Sequence, residues 1–253
     1  MRELVLIGVG AGDPDWVTLA AVRAIEEIDV LFVVVKEREY DDLVEARRAL
    51  VARHRTRPLP VVELVDPPRP WQSVPDYPAA VAAWRTHRLE TWGEAVAEHL
   101  GEGQSGGLLV WGDPSLYEST LAIVRELVDA APAGRRIGVR VIPGISSVLA
   151  LAARHRIPLN RQGRAVQISP ARLLSDGMPA DADDVVVMLD GRQTFAHIDP
   201  TGIDLYWGAY LGTPDEILLA GPLGEIADEV LRVRAEAAAR KGWMFDTYLL
   251  RRR

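Results

Sequence analysis

The chain has 253 residues, 48% hydrophobic and 26% charged, with 21 glycines and 17 prolines, a balance that suits a soluble globular protein and excludes disorder, collagen and coiled coil. Its length points to two modest domains or one large α/β unit. The net charge of −7 argues against a nucleic-acid or membrane-surface protein, because phosphate binding needs a positive field. No run approaches the roughly 18 apolar residues of a membrane span, and Met1-Arg2-Glu3 leads into a strand-like run without a signal-peptide layout, so the cytoplasm is the expected compartment.

In chain order, residues 4–10 (LVLIGVG) form an apolar run ending in glycines, and Val17, Ala20, Ala21, Ala24 and Ile28 recur at helical spacing: strand, loop, helix. Residues 29–35 (DVLFVVV) are a second strand of the kind buried on both faces. Shorter strands fit 61–65, 107–111 (GLLVW) and 139–142, and strands alternating with helical stretches predict an open parallel sheet. Five prolines in 67–78 predict a loop, and 79–100 a helix without an evident cap. Beyond Pro143 the character changes. A helix is expected over 145–155 and short strands over 165–169, 185–189, 204–210 and 244–250, with helical segments at 193–198 and 215–240. Several of these strands are spaced to pair antiparallel, which puts a domain boundary near residue 144 and gives domains of 1–143 and 144–253.

The absence of cysteine excludes disulfides, thiolate nucleophiles and cysteine-bound metal. His54, His87, His99, His155 and His197 include no i,i+4 pair, so no zinc-binding helix can be read and no metal is expected. Only Lys36 and Lys241 are lysine; the other 27 basic residues are arginine, whose planar fork suits carboxylates but equally reflects a compositional bias.

Gly-Asp-Pro occurs twice, at Gly12-Asp13-Pro14 and Gly112-Asp113-Pro114, each just after a predicted strand, where open α/β sheets bind ligands. A tight turn capped by the aspartate is the structural alternative. The first copy begins like a dinucleotide fingerprint with Gly8 and Gly10. It then departs, since the third glycine is residue 12 and Asp13-Pro14 puts a carboxylate where a pyrophosphate needs bare N–H groups. A third glycine turn, IPGISS, follows the fifth strand.

Together, LIGVGAGDPDWVTLAA, LLVWGDPSLYEST, VIPGISSVLALAA, VVVMLDG and GTPDEILLAGPLGEI resemble, in order and spacing, the tetrapyrrole methylase family, the class III S-adenosylmethionine-dependent methyltransferases. Trp111 departs from the commoner Gly-Gly-Asp-Pro form. The resemblance implies an α/β, two-domain tetrapyrrole methylase fold: an N-terminal open parallel sheet with flanking helices and a C-terminal mixed, largely antiparallel domain. It implies S-adenosylmethionine in the cleft between them, no metal, and a homodimer without nucleic-acid partners. By motif position the cofactor contacts are Pro14, Gly112, Asp113, Leu116, Ser146, Ser147 and Met188, followed by Tyr117, Leu189 and Trp207.

The implied acceptor is a tetrapyrrole of cobalamin biosynthesis, precorrin-5, methylated at ring carbon C1 with loss of the C20 acetyl group as acetate. Another precorrin, uroporphyrinogen or a translation component stays open as acceptor, as does a non-catalytic binding role. Proton transfer falls to Lys36, Glu37, Tyr117, Glu118 or His87, each of which has a structural or solvated alternative, and Arg38, Arg69, Arg85, Arg88 and Arg192 could pair with substrate carboxylates.

Overall fold

A computed structural model describes residues 1–35, 41–66, 74–131 and 136–253, without the side chains of 41–44. The chain divides into two compact units, Met1–Gly10 with Pro14–Ile145, and Ala11–Asp13 with Ser146–Arg253.

In the first unit, β1 (Arg2–Gly8), β2 (Val30–Val35), β3 (Val61–Val65), β4 (Ser105–Val110) and β5 (Ile137–Ile142) form one parallel sheet in the order β3-β2-β4-β1-β5. Helices α1 (Leu19–Glu27), α2 (Asp41–His54), α3 (Tyr77–His99) and α4 (Thr120–Ala130) accompany it. Successive side chains of a strand point to opposite faces, and both faces of β1 are buried: Leu4 and Leu6 join a core with Trp92, Val96 and Val124, while Val5 and Ile7 join one with Ala21, Ile25 and Ile28. That is why these strands read as continuous apolar runs.

The helix ends are fixed locally. The Thr18 hydroxyl accepts from the Ala21 N–H at 3.1 Å, and Arg55 donates to the carbonyls of Ile25, Glu26 and Ile28 at 2.7, 3.1 and 2.9 Å, satisfying the orphan acceptors where α1 stops. The cap of α3 is Asp76, whose carboxylate accepts from the Ala79 N–H at 3.1 Å. Pro78 therefore lies in the helix's first turn, where a missing N–H costs nothing, and not in the expected loop. Residues 67–73 of that loop lie outside the described residues.

In the second unit, β6 (Val166–Pro170), β7 (Asp184–Met188), β8 (Ile203–Ala209), β9 (Ile217–Pro222) and β10 (Asp246–Arg252) form a mixed sheet in the order β6-β7-β10-β8-β9. Only the β6–β7 pair is parallel. Two helices, α5 (Ser147–His155) and α6 (Leu223–Lys241), complete it. The helix expected over 215–240 is corrected at its start: Ile217–Pro222 is an edge strand on β8, and α6 begins only after Pro222, a residue barred from a helix interior. The helical segment expected at 193–198 is a short 3-10 turn, Thr194–His197.

His155, in the last turn of α5, is half-buried, lies edge-on to Tyr206 and bonds the Trp207 carbonyl through Nε2 at 3.0 Å. Burial holds its pKa below the ordinary imidazole value, against the opposing pull of that carbonyl and of Glu216. The folded state therefore binds fewer protons here than the unfolded chain, so this contribution is present above about pH 6.5 and is lost as pH falls through the folded value. Thermal melting from pH 7.5 to 5 should show a loss of stability that His155→Gln reduces; identical profiles for both proteins would contradict it.

Candidate functional site

At the carboxyl edge of the parallel sheet, the turns after β1, β4 and β5 are packed backbone on backbone. Gly10 and Gly112 exchange hydrogen bonds, 3.2 Å from the Gly10 N–H to the Gly112 carbonyl and 2.8 Å in return. Gly112 sits at φ +70°, a conformation glycine adopts without penalty. At Gly144 an added Cβ would lie 2.1 Å from the Gly112 carbonyl oxygen. The Asp113 carboxylate ties the turns together: Oδ2 accepts from the Gly144 N–H at 2.9 Å, and Oδ1 accepts from the Ser115 N–H at 2.8 Å and from its hydroxyl. Partial burial works to raise the Asp113 pKa, but the bonds from Ser115 and Gly144 outweigh it and hold the carboxyl below the usual range.

Pro14 is exposed at the head of a short 3-10 turn, Pro14–Trp16, and Leu116 is half-buried. Tyr117 is 42% exposed and has φ +52°, in the left-handed region that a non-glycine residue enters at a cost of about 1–3 kcal/mol. Glu118 Oε1 accepts from the Thr120 N–H and hydroxyl at 2.9 and 2.6 Å at the start of α4, the structural alternative to its catalytic reading. His87 is exposed on α3.

Two of the arginines expected at substrate carboxylates are paired within the chain, one buried and one at the surface. Arg88 is buried, donates to Asp66 at 2.7 Å and lies over the rings of Trp84 and Trp92, and Arg85 is paired with Glu126. Arg192 is exposed. Lys36, Glu37, Arg38 and Arg69 lie outside the described residues.

In the second unit, Ser146 is buried as the N-cap residue of α5 without a side-chain capping bond, and the Ser147 hydroxyl accepts from Thr247 at 3.1 Å. Met188 ends β7 half-buried. Leu189 follows it at φ +58° and 62% exposed, an apolar side chain held out to solvent in a strained backbone. The Trp207 indole is fully buried and donates to Asp246 at 3.0 Å, so it offers a ligand no side-chain surface. The Asp246 carboxylate is almost wholly buried, and burial raises its pKa despite the bonds from Arg234 and Trp207.

Sequence reasoning missed Asp190. Its carboxylate is buried and takes four hydrogen bonds: Oδ1 from the Arg192 N–H (3.1 Å) and the Thr194 hydroxyl (3.0 Å), Oδ2 from the Thr194 N–H (2.6 Å) and the Tyr248 hydroxyl (2.7 Å). Arg234 donates to the Asp190 carbonyl at 2.8 Å and to the Asp246 carboxylate at 2.8 Å. Two left-handed residues, Leu189 and Gln193, flank this hub. At about 1.5–3 kcal/mol each, bonds to a carboxylate can offset the strain of both. The available signal was a buried-type strand ending in Asp followed four residues later by Thr.

Among the described residues no group of three His, Cys, Asp or Glu side chains could hold a metal ion, and no helix is long and apolar enough to cross a membrane.

These turns at strand ends, on one parallel and one mixed sheet, define a class of α/β protein. A family model described as Tetrapyrrole (Corrin/Porphyrin) Methylases matches residues 3–227, and the chain belongs to this family. It is 41% identical over 253 residues to the precorrin-6A synthase [deacetylating] of a Sinorhizobium species, covering 100% of this chain and 96% of the relative. To the precorrin-2 C(20)-methyltransferase of Sinorhizobium it is 27% identical over 196 residues, covering 75% and 74%. Among solved structures, the cobalamin synthesis related protein CobF from Corynebacterium diphtheriae aligns with a TM-score of 0.87 at 31% identity over 100% of this chain and 99% of that one. The uroporphyrin-III C-methyl transferase from Thermus thermophilus, complexed with S-adenyl homocysteine, shares the fold at a TM-score of 0.61 and 18% identity, covering 98% and 91%.

Proposed function

We propose that the chain is an S-adenosylmethionine-dependent C-methyltransferase of cobalamin biosynthesis that converts precorrin-5 to precorrin-6A, methylating C1 and releasing the C20 acetyl group as acetate. The observation that carries this reading is the 41% identity, sustained over the whole chain, to a precorrin-6A synthase [deacetylating]. The reading includes a cytoplasmic homodimer.

The residues present fit the cofactor by their chemistry. Glycine turns, which carry no Cβ, suit close approach of a methionine and ribose moiety, and Leu189, an exposed apolar side chain on a strained backbone, suits a flat base. By motif position, Pro14, Gly112, Asp113, Leu116, Tyr117, Ser146, Ser147, Met188 and Leu189 are assigned to hold it. Trp207, a weaker candidate by motif position, is fully buried and is left out of this assignment. Once bound, S-adenosylmethionine supplies an electrophilic methyl group on a sulfonium.

The chain's own residues bind and orient. Methyl transfer from a sulfonium is an in-line displacement, so alignment and exclusion of water matter more than a protein nucleophile. Asp113 fixes the Gly112 and Gly144 turns, and Asp190 fixes the Leu189 turn. For acetyl loss, water adds to the acetyl carbonyl, the carbon–carbon bond to the macrocycle breaks, acetate departs, and the electron pair stays with the conjugated ring. We assign the proton held during this step to Tyr117 Oη or Glu118 Oε2, since Glu118 Oε1 serves Thr120. His87 is the alternative for activating water, and Lys36 and Glu37 remain candidates by sequence.

A panel of acceptors with methyl-labelled S-adenosylmethionine tests the assignment. Label should enter precorrin-5 in preference to precorrin-2 and uroporphyrinogen. Transfer to either of the latter with precorrin-5 untouched would replace this reading by another member of the family.

A further inference from the structure

Leu189 and Gln193 stand in left-handed conformations on either side of a buried carboxylate that belongs to neither and that no catalytic step requires. Every donor to Asp190 acts on the same short segment. The Arg192 and Thr194 N–H groups and the Thr194 hydroxyl come from the turn itself, and the Tyr248 hydroxyl anchors the turn to β10, 58 residues away in sequence. Arg234 on α6 adds a second anchor by joining the Asp190 carbonyl to the Asp246 carboxylate. A turn with two strained residues relaxes to ordinary backbone angles unless its surroundings hold it, and Leu189 would then no longer present its side chain as it does.

We infer that Asp190, with Thr194 and Tyr248, is a positioning device for the cofactor: it holds the Leu189–Gln193 turn in its strained, binding-competent form. This rests on the reading of Leu189 as a cofactor contact and names what keeps that contact in place. If the competent turn is only fractionally populated, apparent affinity falls by that fraction while the chemistry of the bound complex is unchanged. The signature is a raised cofactor KM with a preserved kcat.

The test uses Thr194→Val, which removes one hydroxyl bond and keeps the N–H bond, with Thr194→Ser as the conservative rescue and Asp190→Asn as the stronger variant. An amide nitrogen at 190 must face donors on whichever side it lies, so Asp190→Asn opposes two of the four bonds. S-adenosylhomocysteine binding is measured by calorimetry on the full chain, alongside circular dichroism and methyl-transfer kinetics with precorrin-5. The expected result is a Kd raised about fivefold to tenfold in Thr194→Val, near wild type in Thr194→Ser, with kcat at saturating cofactor within about twofold of wild type. A folded Thr194→Val with wild-type Kd overturns the inference, as does loss of kcat without change in KM. Should Asp190→Asn fail to fold, Thr194→Val alone decides. Failure of the wild-type protein to bind S-adenosylhomocysteine overturns the underlying reading of the site, and the positioning claim with it.

Discussion

Gly144→Ala is expected to destabilise the first unit by about 3–5 kcal/mol, the sum of an overpacked contact and one lost charge-assisted hydrogen bond. The added methyl carbon would stand 2.1 Å from the Gly112 carbonyl oxygen and 2.8 Å from the Gly8 carbonyl carbon, and both neighbours are backbone atoms of strand-end turns. Relief therefore requires the turn after β5 to move away from those after β1 and β4, which stretches the Asp113–Gly144 bond at 2.9 Å. Gly191→Ala is the matched control. No atom lies within 4 Å of a Cβ built there, so its effect should stay within about 0.5 kcal/mol. Urea unfolding of both variants reads the difference. Equal midpoints would show that the three turns are not locked as described.

Asp184→Ala should cost the second unit a comparable amount, about 3–5 kcal/mol, because it strands a buried charge. Asp184 has no exposed surface and bonds Arg251 Nε at 2.5 Å and Arg161 Nε at 3.2 Å. Arg251 is itself buried, and its Nη2 donates to the carbonyls of Pro158 and Leu159 at 2.9 and 3.1 Å, so the guanidinium cannot leave for water without abandoning that loop. Asp184→Asn keeps the shape but removes the charge and should recover only part of the loss. Arg161→Ala breaks the more exposed arm and should cost under about 1 kcal/mol. A loss below about 1 kcal/mol for Asp184→Ala in chemical denaturation would contradict this assignment of the pair.

The parts of the fold legible in the sequence are those whose burial is symmetric. Runs such as 4–10 and 30–35 are apolar without interruption because the parallel sheet is covered on both faces, and a run of that kind admits few other readings. Edge elements read less well: Ile217–Leu219 fits helix or strand equally, and only Pro222, just beyond, marks where the helix can begin. Helix α2, rich in charge, carries no stripe strong enough to announce itself. At the site, the Gly-Asp-Pro turns were visible because turn chemistry is local. The Asp190 hub was not, since Tyr248 and Arg234 reach it from β10 and α6. Burial also supplies partners that the sequence does not show: Arg88 donates to Asp66, and the Trp207 indole to Asp246.

The most direct test of the proposed activity is the stoichiometry of the two products. Wild-type protein is mixed with precorrin-5 and methyl-labelled S-adenosylmethionine, quenched within one turnover, and analysed by mass spectrometry for the methylated macrocycle and for acetate. The proposal predicts one labelled methyl group gained and one acetate released per macrocycle, with Asp113→Ala yielding neither. A completed turnover that leaves a methylated macrocycle still carrying its acetyl group would contradict it.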